Sequence, residues 1–125
     1  MSYRLAWGLL VLLLLLLLVG TQMPGVWRAS LEVTLHGSWG LSSWSHFVLF
    51  AGMTTVLRLP PLGWPLMRVT LATLGLALLT EALQFFAIDR HPRWTDVGID
   101  MAGALAGILL AMAWARLGKT KSPAK

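Results

Sequence analysis

The chain contains no cysteine. Disulfide frameworks, thiolate metal sites and a cysteine nucleophile are therefore excluded. Charge is scarce as well. Only 12% of the 125 residues are charged, about half the share of an ordinary soluble domain. Acids are scarcer than bases, with 5 Asp and Glu against 10 Lys and Arg, a formal charge of +5. The basic residues flank apolar stretches, so membrane topology and anionic head groups account for them better than nucleic acid. No basic patch with interleaved aromatics points to DNA or RNA. Neither H-E-x-x-H nor G-x-S-x-G occurs. There is no internal repeat and no polar stretch long enough for a sizeable soluble domain.

What is present is hydrocarbon. Hydrophobic residues make up 57% of the chain, and residues 5–19 contain no charge at all. A bilayer core needs roughly 20 apolar residues per helix. Four spans fit, at 5–23, 41–59, 66–88 and 96–117. The expected architecture is an all-α bundle of four transmembrane helices, a single membrane domain over residues 1–117 followed by a basic, disordered cytoplasmic tail at 118–125. The first span lacks an A-x-A site after it, which favours an uncleaved helix over a signal peptide. Pro24-Gly25 ends it, and Pro60-Pro61 stops the second span.

Orientation follows from Lys and Arg. Arg4, Arg58, Arg68, Arg116, Lys119, Lys121 and Lys125 fall on one side; Arg28, Arg90 and Arg93 fall on the other. Both termini are therefore expected in the cytoplasm of a multi-pass inner-membrane protein. Trp7, Trp64 and Trp114 fit the inner interface, and Trp27, Trp39, Trp44 and Trp94 the outer one. In the first outer loop, Trp27, Leu31 and Leu35 recur every four residues, as in a short interfacial helix. Leu31, Val33 and Leu35 also alternate, as in a strand.

Ionisable groups gather at 80–100, "TEALQFFAIDRHPRWTDVGID". On the expected spans, Glu81 lies about 10 Å below the outer end of the third helix. Gln84 shares its face, Asp96 and Asp100 share one on the fourth span, and His46 stands near the outer start of the second. These groups, with Arg90, define the candidate polar cluster. A carboxylate facing lipid is penalised by roughly 2.5–3.5 kcal/mol on insertion scales. Glu81 is therefore expected to face the bundle, to pair with a cation or to be protonated. Arg90 and Arg93 are the nearest cations in sequence, and Arg90 can fold back from the loop to form a bidentate pair. Plainer structural roles are open too. Asp96 can cap the fourth helix in competition with Thr95, Gln84 can link helices, His46 can be a satisfied interfacial residue, and His91, Asp89 and Arg93 can be loop residues. Gly103 and Gly107 form a GxxxG pair suited to close packing within the bundle or to homodimerisation.

These residues resemble the signature of VanZ-like membrane proteins: E-x-x-Q, then Arg, Asp, Asn and Gly at fixed spacings. The corresponding positions are Glu81, Gln84, Arg90, Asp96, Asp100 and Gly103. "SHFVLFAGM" is similar to that family's second-span motif, with His46 and Phe47 matching. Ser42-Ser43 stands where the family has Asp-Lys, and Asp100 where it has Asn, which makes this cluster more acidic. The likeness covers about residues 41–107. It implies a small multi-span membrane protein of the cell envelope. The founding member is associated with low-level resistance to the glycopeptide teicoplanin, a role that the likeness alone does not transfer.

Three functions follow as expectations. The first is an accessory protein whose outer-leaflet pocket binds a lipid head group, a lipid-linked envelope precursor or another membrane protein. The second is a membrane-embedded enzyme with a buried carboxylate as base, or with His46, Glu81 and Asp96 around a metal. The third is transport, for which only Thr54, Thr55, Thr70 and Thr73 continue a polar route inward. Neither a cofactor nor a resident metal is expected under the first.

Overall fold

The computed structural model describes residues 1–35 and 40–120. The fold is all-α: five helices occupy the described residues, α1 (Tyr3–Gln22), α2 (Gly25–Thr34), α3 (Leu41–Arg58), α4 (Leu66–Gln84) and α5 (Trp94–Thr120). Three of them, α1, α4 and α5, are long and apolar enough to cross a membrane. The helix at the second expected span, α3, does not join them, because Ser42, Ser43, Ser45, His46 and Arg58 dilute its 18 residues.

Local sequence sets the helix ends. Ser2 caps α1 by accepting from the Leu5 N–H at 3.2 Å. Pro24 closes the link to α2, and Pro60-Pro61 and Pro65 bracket the turn between α3 and α4. That turn is ordered by Arg58, whose Nη1 donates to the Trp64 carbonyl at 2.8 Å, and by Arg68 stacked 5.6 Å from the Trp64 ring. The stretch after Pro24 is a helix rather than a strand, with Val26, Trp27, Leu31 and Val33 exposed along it. Trp39 and residues 121–125 lie outside the described residues, and α5 runs past residue 117 to Thr120.

Two further boundaries move. Helix α4 stops at Gln84, not at residue 88. Phe85, Phe86 and Ala87 donate to carbonyls three residues back, which tightens the chain, and Asp89 then turns it with a φ of 54°. Glu81 thus lies in the last turn of α4, shallower than the expected 10 Å. Helix α5 begins at Trp94, so Asp96 is in its first turn instead of capping it.

The interior is inverted relative to a soluble protein. Nine apolar and nine polar side chains are buried among the described residues. Leu12, Leu15 and Leu16 of α1, Leu71 and Leu79 of α4 and Leu105, Leu109 and Leu110 of α5 are exposed. Only a surrounding hydrocarbon makes that arrangement favourable. The small apolar core is Leu17, Phe50, Met53 and Ala77. Around it α3 packs on α1, α4 and α5, and α4 also on α1 and α5.

The closest packing is between α3 and α5. Side chains at Gly103 and Gly107 would collide with the carbonyls of Phe47 and Ala51 on α3. The GxxxG face is used within the chain. His46 faces Asp100, Phe47 faces Gly103 and Ala51 faces Gly107, so the two helices run parallel. The buried hydroxyls of Thr54 and Thr73 donate to carbonyls of their own helices at 2.7 and 2.8 Å, and Thr55 does the same at 2.7 Å. These hydroxyls are therefore taken up by backbone carbonyls.

Candidate functional site at the polar end of the helices

The end of α1, the start of α3, the end of α4 and the start of α5 meet at one end of the molecule, and the buried charged groups collect there. Five of the six sequence-predicted residues fall into three groups rather than one, and Asp96 stands apart.

The first is His46 with Asp100. Nδ1 and Oδ1 share a 2.8 Å hydrogen bond, the one contact at ion-pair distance between a basic and an acidic side chain among the described residues, and Asp100 is 0% exposed. Its Oδ2 is buried without a partner among them. An imidazole held by a carboxylate at Nδ1 presents Nε2 for hydrogen bonding or proton exchange. His46 lines a cavity of about 390 Å³ between α1, α2 and α3.

The second is Glu81 with Gln84. The Gln84 Nε2 donates to Glu81 Oε1 at 3.2 Å, as their shared face predicts. The backbone N–H of Arg93 donates to Oε2 at 2.9 Å. Glu81 therefore ties the loop after α4 to the helix. It also lines a second cavity, of about 330 Å³, with Phe85, Trp94 and Val97.

The third is Arg90. It is 8% exposed, but it does not pair with Glu81, both of whose oxygens accept elsewhere. Asp89 turns the chain, and Arg90 reaches α1, donating from Nη2 to the Gly20 carbonyl at 3.4 Å. Its Nε and Nη1 are buried without partners among the described residues. Burial, then the nearby Arg28, push its pKa down from the ordinary range; Asp96 and Glu81 act in the opposite sense. Asp96 is half-buried and makes no side-chain hydrogen bond among the described residues. Asp89, His91 and Arg93 are exposed, as expected of loop residues.

No three His, Asp or Glu side chains among the described residues converge as a metal-ligand set, so His46, Glu81 and Asp96 do not form the suggested metal centre. Sequence reasoning missed Arg28, the only Lys or Arg in residues 24–40. It lines the larger cavity, and its buried Nε has no partner among the described residues. It also missed how α2 is held: the Gly25 N–H donates to the Ile88 carbonyl at 3.4 Å, and a Cβ there would come within 2.8 Å of the Asp89 oxygen. A lone cation three residues after the glycine that heads a short amphipathic helix was the available signal.

The sequence model of the VanZ/LLP1 family matches residues 7–115. The chain belongs to the VanZ/LLP1 family. The match takes in α1 and α2 as well as the helices that carry the polar cluster. No curated protein and no solved structure matches the chain. Membership in VanZ/LLP1 gives the polar end of the helices its context: a membrane protein whose buried charges lie at one end of its apolar helices.

Proposed function

We propose that this VanZ/LLP1 protein is an accessory protein of the cell envelope that holds an anionic lipid head group, or the head of a lipid-linked precursor, at the outer surface of the cytoplasmic membrane. In this reading α3 completes a bundle of four spans with α1, α4 and α5. Both termini are cytoplasmic, and α2 lies along the outer interface. The Lys and Arg distribution supports that orientation. Exposed Trp27, Phe85, Phe86 and Trp94 at the polar end suit a head-group layer.

The observation that carries the proposal is Arg90. A guanidinium is costly to bury with unpartnered N–H groups, and its fork fits carboxylate and phosphate oxygens. Glu81 and Gln84 support it indirectly, by fixing the loop from which it projects. Native mass spectrometry of protein released from gentle detergent tests the reading. Wild-type protein should carry lipid adducts that Arg90→Ala loses; an unchanged adduct pattern would rule the reading out.

The His46–Asp100 pair favours a second reading, in which the bound lipid is also processed and His46 serves as base. Conversion of the bound lipid to a product of different mass by wild type, but not by His46→Ala, would favour it. Identical lipid spectra over time would exclude it.

A further inference from the structure

Two arginines that are far apart in sequence lie near the polar end of α1, close enough for Arg28 to push the pKa of Arg90 down. Arg28 projects from α2 into the wall of the cavity between α1, α2 and α3. Arg90 is not itself a lining residue; it donates to the carbonyl of Gly20, which is one. Arg28 Nε and Arg90 Nε and Nη1 are buried without hydrogen-bond partners among the described residues. No Asp or Glu among those residues is within ion-pair distance of either guanidinium. Holding two like charges near each other in a poorly solvated site costs energy that a nearby anion would offset.

The remainder of the cavity is not built for a free ion. Leu16, Leu17, Leu31, Leu41, Val48 and Leu49 form apolar walls, and Arg28, Ser42, Ser45 and His46 add polar atoms. Charge lies at one side and hydrocarbon at the other, the polarity of a lipid seen from its head. Val48 is 58% exposed, so the walls are continuous with the lipid-facing surface of α3.

We infer that Arg28 and Arg90 form a two-guanidinium clamp for the phosphate of a membrane lipid, most favourably a phosphate monoester, whose acyl chain lies along the leucines of α1 and α3. The inference rests on the head-group reading above and specifies its ligand. A monoester is favoured over a diester because it presents more anionic oxygen to two guanidiniums.

The test uses the full chain in detergent, with native mass spectrometry after addition of phosphatidic acid, phosphatidylcholine or diacylglycerol with identical acyl chains. Phosphatidic acid should bind roughly tenfold more tightly than phosphatidylcholine, and diacylglycerol more weakly still. Arg28→Gln and Arg90→Gln should each weaken phosphatidic acid by about tenfold, with Arg28→Lys in between. Val48→Trp, which narrows the apolar wall from an exposed position, should weaken it without touching the charges. Helicity and thermal unfolding of each variant separate lost binding from lost fold.

Equal affinity for phosphatidic acid and phosphatidylcholine, or an Arg28→Gln variant as tight as wild type, would overturn the clamp. The head-group reading would survive that result if Arg90→Gln still stripped another co-purified lipid. If neither arginine variant stripped any lipid, both would fall. Competition by inorganic phosphate at the concentration of phosphatidic acid would overturn the lipid part and leave a site for free phosphate.

Discussion

Asp100, fully buried on α5, lies 2.8 Å from the Nδ1 of His46 on α3. The pair joins the two most intimately packed helices at the level where the buried charges collect. Its value to stability lies mainly in what would follow from breaking it. A buried polar group that loses its partner costs about 1–3 kcal/mol. Asp100→Leu should therefore lower stability by about that amount, because the imidazole of His46 is left inside without an acceptor. Asp100→Asn keeps a carbonyl oxygen for Nδ1 and should stay within about 1 kcal/mol of wild type. Denaturant titration in mixed micelles, followed by tryptophan fluorescence, checks the order of the two variants. Equal losses would show that the acceptor is irrelevant.

Gly103 and Gly107 have a different role, since they set a distance. Their positions lie against the carbonyls of Phe47 and Ala51, which belong to backbone and cannot rotate away. Overpacking of this kind costs about 1–3 kcal/mol. Gly103→Ala should be destabilising at that level, and Gly107→Leu worse. Gly75, with open space around its Cβ position, is the control: Gly75→Ala should be neutral or mildly stabilising, because alanine is the better helix former. Size-exclusion profiles of Gly103→Ala should keep the wild-type oligomeric state. A change of state with unchanged stability would mean that the pair acts between molecules.

Glu81 governs the loop between α4 and α5. With one oxygen on Gln84 and the other on the Arg93 N–H, it holds the segment that carries Arg90. Glu81→Leu removes both acceptors, and the loop should open more readily by about 1–3 kcal/mol. Trypsin cleavage after Arg90 or Arg93 reports that opening. The rate should rise roughly tenfold or more in Glu81→Leu and much less in Glu81→Gln, which keeps one carbonyl acceptor. Cleavage as slow as in wild type would show that the loop is held by other contacts.

The helices were legible because proline and hydrocarbon write their limits plainly. Pro24, Pro60, Pro61 and Pro65 bound α1, α3 and α4 within a few residues of expectation. The i, i+3 relation of Glu81 to Gln84 and the packing role of Gly103 also followed from periodicity. The end of α4 did not, since the shortened hydrogen bonds at Phe85–Ala87 and the positive φ of Asp89 depend on where the following loop docks. For the same reason the partner of Arg90 was misread. Proximity in sequence pointed to Glu81, whereas the turn at Asp89 sends Arg90 to Gly20, 70 residues away. Arg28 was overlooked for a related reason: a lone cation on a short amphipathic helix marks a candidate but does not say which neighbour that helix will lie against.

The orientation of the whole assembly is open to a direct measurement, and the absence of native cysteine makes it clean. Val33, exposed on α2, and Gly63, in the open turn after α3, lie on opposite sides of the proposed membrane. Gly63 has a φ of 54°, so a side chain there is strained, and Leu62 beside it is the safer position for substitution. In intact cells an impermeant maleimide should label Val33→Cys and leave Leu62→Cys unmodified until the membrane is permeabilised. Arg4, Arg58, Arg68 and Arg116 demand this result if the bias of basic residues toward the cytoplasm governs insertion. The reverse pattern would turn the buried arginines toward the cytoplasm, and labelling of both positions from outside would mean that α3 does not cross. Either outcome would relocate the lipid site and remove the argument for an outer-leaflet ligand.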